Sequence, residues 1–109
     1  MSRYLFIESR DAFESRDTRF VEETATALSE RGHDVTVFLI QNGVLAARKN
    51  GSEQYLVRLA SAGVAIMADD FSLDERGLQT AELGPGIQPS NIDALIDALV
   101  HDGAKAIWH

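Results

Sequence analysis

The sequence has no cysteine, only two prolines and a single tryptophan among its 109 residues. Without cysteine the chain can form no disulfide, and it offers no thiolate metal ligand, cysteine nucleophile or persulfide carrier. Basic residues are also few, with ten Lys and Arg against seventeen Asp and Glu, for a net charge of −7. Such a chain repels nucleic acid and anionic lipid unless its basic residues cluster, and here they are scattered. We therefore expect no nucleic-acid or membrane partner.

Long apolar segments are absent too. No run approaches the ~18 residues that a membrane-spanning helix needs, and the opening Met-Ser-Arg-Tyr does not resemble a signal peptide. The length of 109 residues and the 45% hydrophobic content suit one domain over residues 1–109. We expect a soluble, cytoplasmic protein.

Four short apolar runs have the composition of strands that are buried on both faces, namely residues 4–7, 35–40, 64–68 and 104–108. Helical periodicity lies between them. It is clearest where apolar residues recur at helical spacing, at Ile92, Leu95, Ile96, Leu99 and Val100. This alternation predicts an α/β fold, with a parallel sheet of four to five strands between two helix layers. A further edge strand is expected near residues 86–88, although Pro85 and Pro89 limit it.

The ends of the predicted helices carry recognisable residues. Glycines are expected to end the four helices, at Gly32, Gly63, Gly77 and Gly103. The predicted N-terminal caps are Asp17, Ser52, Ser72 with Glu75, and Ser90.

Polar residues follow the predicted strands at the edge where parallel sheets bind ligands, beyond the carboxyl ends of their strands. The candidate ligand-binding residues there are Ser9, Arg10, Asn42, Gly43, Asp69, Asp70 and His109. The loops over residues 9–16 and 41–51 are longer than most connections of this kind, which favours a binding role. The alternative is that these residues are polar loop ends in solvent.

The adjacent Asp69 and Asp70 could ligate a hard cation. Neighbouring residues of an extended segment point to opposite sides, however, so both carboxylates cannot easily face one ion. We therefore expect no metal site, and expect one of the two to cap the turn at Ser72. A phosphoacceptor site is also excluded, because Lys105 lies at the wrong end of its strand.

Arg10 is the main candidate for anion recognition, with Arg48 in the second loop, because an arginine fork suits carboxylate or phosphate oxygens. The alternative is a surface ion pair between Arg10 and an acid of its own loop, at Asp11, Glu14 or Asp17. His109 is expected to be a frayed end unless it lines this site.

Several segments resemble the DsrE/DsrF-like family, which includes TusD-like proteins. They are residues 4–9, the helix end Glu30-Arg31-Gly32-His33, Gln41-Asn42-Gly43-Val44 after the second strand, Asp74-Glu75-Arg76-Gly77-Leu78, and residues 104–108. The resemblance implies a flavodoxin-like three-layer fold and assembly as trimers or hexamers.

Several members of that family, including those of the TusBCD sulfur relay, carry a persulfide on a cysteine at the end of strand three. Here the corresponding position is Ala68 or Asp69, and neither can carry sulfur. We therefore expect this chain to share the family's fold and assembly but not its sulfurtransferase activity, and we expect no cofactor.

Two hypotheses follow. The chain is either a non-catalytic DsrE-like subunit, packing with itself or with a cysteine-bearing paralogue, or a small-ligand binding protein. The second hypothesis includes an enzyme that uses Arg10, Asn42, Asp69 and His109 at the edge of the sheet.

Overall fold

A computed structural model describes residues 2–12, 17–48 and 54–109. In this part of the chain, five strands form one sheet in the order β4-β3-β2-β1-β5, and every neighbouring pair is parallel. The strands are β1 (Arg3–Glu8), β2 (Asp34–Leu39), β3 (Ala65–Asp69), β4 (Ile87–Ser90) and β5 (Lys105–Trp108). The predicted parallel α/β fold is confirmed, including the edge strand beside β3.

The described helices are α1 (Thr18–Glu30), α2 (Gln54–Ser61), α3 (Asp70–Glu75) and α4 (Ile92–Val100). Short 3₁₀ helices cover Gln41–Ala47 and Thr80–Glu82. The chain moves steadily across the sheet from β1 to β4 and then returns to β5. Because crossovers between parallel strands are right-handed, the return connection places α4 on the face opposite α1, α2 and α3.

The larger core lies between the sheet and α1 and α2. Its central side chains have no exposed surface, and they include Phe6 and Leu39 from the sheet, Val21 from α1 and Leu59 from α2. Burying one such side chain stabilises the fold by about 1.5–3 kcal/mol. The smaller core lies on the other face, where Leu95 of α4 packs with Leu5, Ile7, Phe38 and Ile40. Both faces of β1 and β2 are therefore covered, as their continuous apolar runs predict.

The helix starts agree only in part with the sequence-based prediction. Asp17 precedes α1, but its side chain makes no capping hydrogen bond. Ser90 pairs with Asp69 at the end of β4, so the cap of α4 is the next residue, Asn91, whose Oδ1 accepts from the Ala94 amide at 2.9 Å. The α3 cap is Asp69, as expected for one of the two adjacent aspartates, and not Ser72. Ser52 lies outside the described residues.

The predicted helix end at Gly32 agrees with the structure. Gly32 has a φ of +87°, a left-handed conformation that glycine adopts without steric cost. α1 ends two residues earlier, at Glu30. Pro89 lies within β4, which is an edge strand paired with β3, the kind of strand in which proline is tolerated.

Candidate functional site

The polar residues at the carboxyl edge of the sheet form two clusters. The Glu8 cluster lies at the ends of β1 and β5 and consists of Glu8, Ser9 and His109. The Asn42 cluster lies where β2 and β3 end, and consists of Gln41, Asn42, Asp69, Ser72 and Arg76.

Glu8 is the most deeply buried polar residue of the edge, with no exposed side-chain surface. Its Oε1 and Oε2 lie 2.8 and 2.9 Å from Nδ1 of His109. The main-chain amide of Arg10 also donates to Oε2, at 3.2 Å. Burial raises the pKa of the Glu8 carboxyl above its ordinary value, and the hydrogen bond from His109 and the Arg10 amide oppose that rise.

The backbone holds His109 over Glu8. The His109 amide donates to the Ile7 oxygen at 2.8 Å, and the Ser9 amide donates to the His109 main-chain oxygen at 2.9 Å. The Ser9 hydroxyl donates to the same oxygen at 2.9 Å. These bonds continue the β1–β5 pairing beyond the two strands, so His109 is an ordered part of the sheet edge, not the frayed end that was expected. The ring of Phe20, from α1, has its centroid 6.4 Å from that of His109.

Gly43 connects the two clusters. A Cβ atom at this position would overlap the main-chain oxygen of Glu8. That oxygen also accepts from the Ile40 amide at 3.0 Å. The turn after β2 therefore packs directly on the backbone of Glu8, and only glycine leaves room for it.

The Asn42 cluster ties the end of β2 to α3. Arg76 Nε and Nη2 donate to Asn42 Oδ1 at 3.2 and 3.0 Å, and Arg76 Nη1 donates to the Ser72 main-chain oxygen at 3.2 Å. The Gln41 amide donates to Ser72 Oγ at 2.9 Å. Ser72 in turn donates from Oγ and from its amide to Asp69 Oδ2, at 2.7 and 3.0 Å. Most of these polar groups therefore bind one another.

The structure does not bring the seven candidate residues into one pocket. Ser9 and His109 lie together, Gly43 packs on Glu8, Asn42 binds Arg76 and Asp69 caps α3, as described above. Asp70 is exposed in the first turn of α3. The Arg10 side chain is 56% exposed, and its Nη1 lies 3.6 Å from Asp17 Oδ2, which is the surface pair considered as the alternative. Whether these residues bind a ligand stays a prediction.

Two residues of the edge were not among the candidates. Glu8 could have been noticed in the sequence, because it is a carboxylate directly after a short apolar run. A charged residue is unusual at a position that is expected to be buried. Arg76 was harder to notice. Its position four residues after Ser72 places the two residues on the same side of a helix. Local sequence does not indicate that Glu8 pairs with His109 or that Arg76 binds Asn42.

No helix in the described ranges has both the length and the apolar character that a membrane crossing requires. Within the same ranges, no group of three or more His, Asp or Glu residues is placed to hold a metal ion.

The fold and the edge together define a small parallel α/β/α domain with its polar groups at the carboxyl ends of the strands. The DsrE/DsrF-like family model matches residues 2–108. The chain belongs to the DsrE/DsrF-like family. No curated protein matches the sequence.

Three solved structures have the same fold. The YchN protein of E. coli is 20% identical, with both chains fully covered and a TM-score of 0.88. MTH1491 of Methanobacterium thermoautotrophicum, a protein of unknown function, is 19% identical over the whole of both chains, with a TM-score of 0.82. BT1422 of Bacteroides thetaiotaomicron, also of unknown function, is 19% identical over 97% of this chain and 94% of its own, with a TM-score of 0.74. At these identities the likeness concerns the fold.

Proposed function

We propose that this protein is a non-catalytic DsrE-like subunit that acts by assembling with further copies of itself. The observation that carries the proposal is an apolar surface on α4. Four side chains form this α4 patch, and they are 53%, 49%, 36% and 68% exposed, at Ile92, Ile96, Leu99 and Val100.

The α4 patch lies along one flank of the helix. Its residues follow the spacing i, i+4, i+7 and i+8, which places them on one side, whereas Leu95 points into the smaller core. Trp108, 64% exposed, is on the same face of the sheet, because it pairs in register with Ile7 of that core. Within the described residues α4 is the one helix on this face, so part of the face stays open. Exposed apolar patches of this kind mark association sites in soluble proteins.

Charge supports an interface at this place. Copies that each carry a net charge of −7 repel one another, so they associate best through a surface without charge. The α4 patch has no charged member, and Asp93 and Asp97 occupy the neighbouring side of the helix. A second copy that presents its own α4 patch would bury both patches in one symmetric contact. The family resemblance also implies self-assembly, as trimers or hexamers.

The position of the family's cysteine supports a non-catalytic role. Ala68 has no exposed surface, and Asp69 is engaged by Ser72 as the cap of α3. Neither residue offers a thiol at the end of β3. We expect the isolated protein to remain unlabelled when it is incubated with a cysteine desulfurase and labelled cysteine.

Sedimentation velocity at micromolar concentration tests the assembly. We expect the wild-type chain to sediment as an oligomer, and the Ile96→Asp variant to sediment as the 11.9 kDa monomer. Val57→Asp is the matched control, because Val57 is 53% exposed but lies on α2, across the sheet.

A wild-type monomer would overturn self-assembly. So would an oligomer that forms only after a cysteine-bearing DsrE-like protein is added, since that result assigns the α4 patch to a paralogue. Equal dissociation by Ile96→Asp and Val57→Asp would move the interface away from α4.

A further inference from the structure

We propose that Glu8 and His109 form a binding site in which Nε2 of His109 accepts a hydrogen bond from a hydroxyl or thiol of a small neutral ligand. This site is separate from the α4 patch and does not depend on assembly. It also differs from the family's sulfur position, because two strands, β2 and β1, separate the end of β3 from the end of β5.

The burial of Glu8 is the first argument. A carboxylate without exposed surface loses its hydration, and its hydrogen bonds with the His109 imidazole and the Arg10 amide offset this loss only in part. An apolar pair of similar size would serve a purely structural purpose at least as well. The fold nevertheless places this carboxylate at the carboxyl end of β1, where ligands of parallel sheets bind.

The chemistry of the contact assigns the protons of His109. An ionised carboxylate can only accept hydrogen bonds, so a neutral imidazole 2.8 Å away must carry its proton on Nδ1. Nε2 is then left with a free lone pair, as in histidines that act as proton acceptors. No described residue forms a hydrogen bond with Nε2.

The surroundings show that the ring is held and can be reached. The backbone bonds to Ile7 and Ser9 fix the position of His109. Its side chain is 15% exposed, so part of it can be reached from solvent, while Nδ1 faces a fully buried carboxylate. A ligand there meets a ring nitrogen that is already oriented.

The neighbouring groups indicate the class of ligand. Phe20 is 51% exposed and its ring lies beside that of His109, so it offers an aromatic surface on which a ligand can pack. The net charge of −7 disfavours anions, and the lone pair of Nε2 requires a donor. A small aromatic alcohol or a phenol satisfies all three conditions.

Long-range ¹H–¹⁵N spectra of the histidine rings test the assignment at about pH 8, above the reference histidine pKa. We expect His109 to be protonated on Nδ1. His33 is an internal control with the opposite tautomer, because its Nδ1 accepts from the Ser2 amide at 3.1 Å. An Nε2-protonated His109 in the wild-type chain would overturn the proposal.

Titration with phenol tests the ligand class. We expect a saturable shift of the His109 nitrogens, with no shift at His33 or His101. Toluene has nearly the same shape but no donor, and we expect it to bind more weakly by about fivefold, the usual effect of one hydrogen bond. In Glu8→Gln the glutamine amide can donate a hydrogen bond to Nδ1 of His109, which leaves the ring proton on Nε2. Nε2 can then no longer accept a hydrogen bond, so phenol should bind no more tightly than toluene.

Three results would overturn the ligand class. They are equal binding of phenol and toluene to the wild-type chain, an unchanged preference for phenol in Glu8→Gln, and a stronger shift with benzoate than with phenol. The last result would indicate an anion site instead. The His101→Gln variant, changed at an exposed histidine of the opposite helix layer, should bind phenol as the wild type does.

Discussion

The α-carbon of Gly43 lies against the main-chain oxygen of Glu8, with no space for a side chain between them. This contact joins the turn after β2 to the end of β1.

We expect Gly43→Ala to lower the free energy of unfolding by about 1–3 kcal/mol, the usual range for overpacking a filled site. Urea denaturation measures the change. Gly84→Ala is the matched control, because a Cβ there would meet its nearest atoms at 3.6 and 3.7 Å, ordinary contact distances. Equal effects of the two substitutions would contradict the close packing at Gly43.

Asp69 and Asp70 are adjacent but have different roles. Asp69 caps α3 through its bonds to Ser72, whereas Asp70 is exposed. We expect Asp69→Ala to cost about 0.5–2 kcal/mol, the usual effect of losing an N-terminal cap, and Asp70→Ala to cost less. The comparison is made by thermal and urea denaturation. If Mg²⁺ or Ca²⁺ stabilised the wild type but not Asp69→Ala, Asp69 would be a metal ligand after all.

The strands and their parallel arrangement were predictable because they depend on local composition. Residues 4–7 and 35–40 are too short and too apolar for surface helices, and Gly32 separates the second run from the helix that precedes it. The caps of α3 and α4 were misplaced because capping depends on where a neighbouring strand ends. Ser90, for example, is held in β4 by its pairing with Asp69, and so leaves the cap of α4 to Asn91.

The candidate site was harder to predict, since its contacts join distant parts of the chain. Glu8 and His109 are 101 positions apart, and only the pairing of β1 with β5 brings them together. The same limit applies to α4. Its apolar spacing predicts a helix, but not that Leu95 alone of the five is buried while the other four are exposed. That outcome depends on the strand order, which periodicity does not encode.

The pH dependence of stability should show the burial of Glu8. Because burial favours the protonated carboxyl in the folded chain, the Glu8 pKa is raised above its ordinary value of 4.5. The protonated Glu8 carboxyl then makes its full contribution to stability below about pH 4.5, and this contribution is lost as the pH rises through the pKa of Glu8 in the folded chain. We therefore expect the stability of Glu8→Gln, measured relative to the wild type by urea denaturation, to increase as the pH rises above this range.

Glu22 provides a control of opposite sign. Hydrogen bonds from Arg58, at 2.6 and 2.8 Å, lower the pKa of the Glu22 carboxyl. The resulting stabilisation is present above the unfolded pKa and is lost as the pH falls through the folded one. Glu22→Gln should therefore lose stability relative to the wild type at neutral pH but not in acid. The same trend in both variants would contradict the assignment for Glu8.

Arg10 distinguishes an anion site from a surface ion pair. Its guanidinium is exposed and lies 3.6 Å from Asp17, and ion pairs of this kind contribute about 0–1 kcal/mol. We expect Arg10→Ala to change the free energy of unfolding by less than about 1 kcal/mol, an effect that shrinks further at high salt. We also expect a panel of small anions, phosphate and acetate among them, to leave the melting temperature of the wild type unchanged. A melting temperature raised by one of these anions in the wild type, but not in Arg10→Ala, would establish the anion site instead.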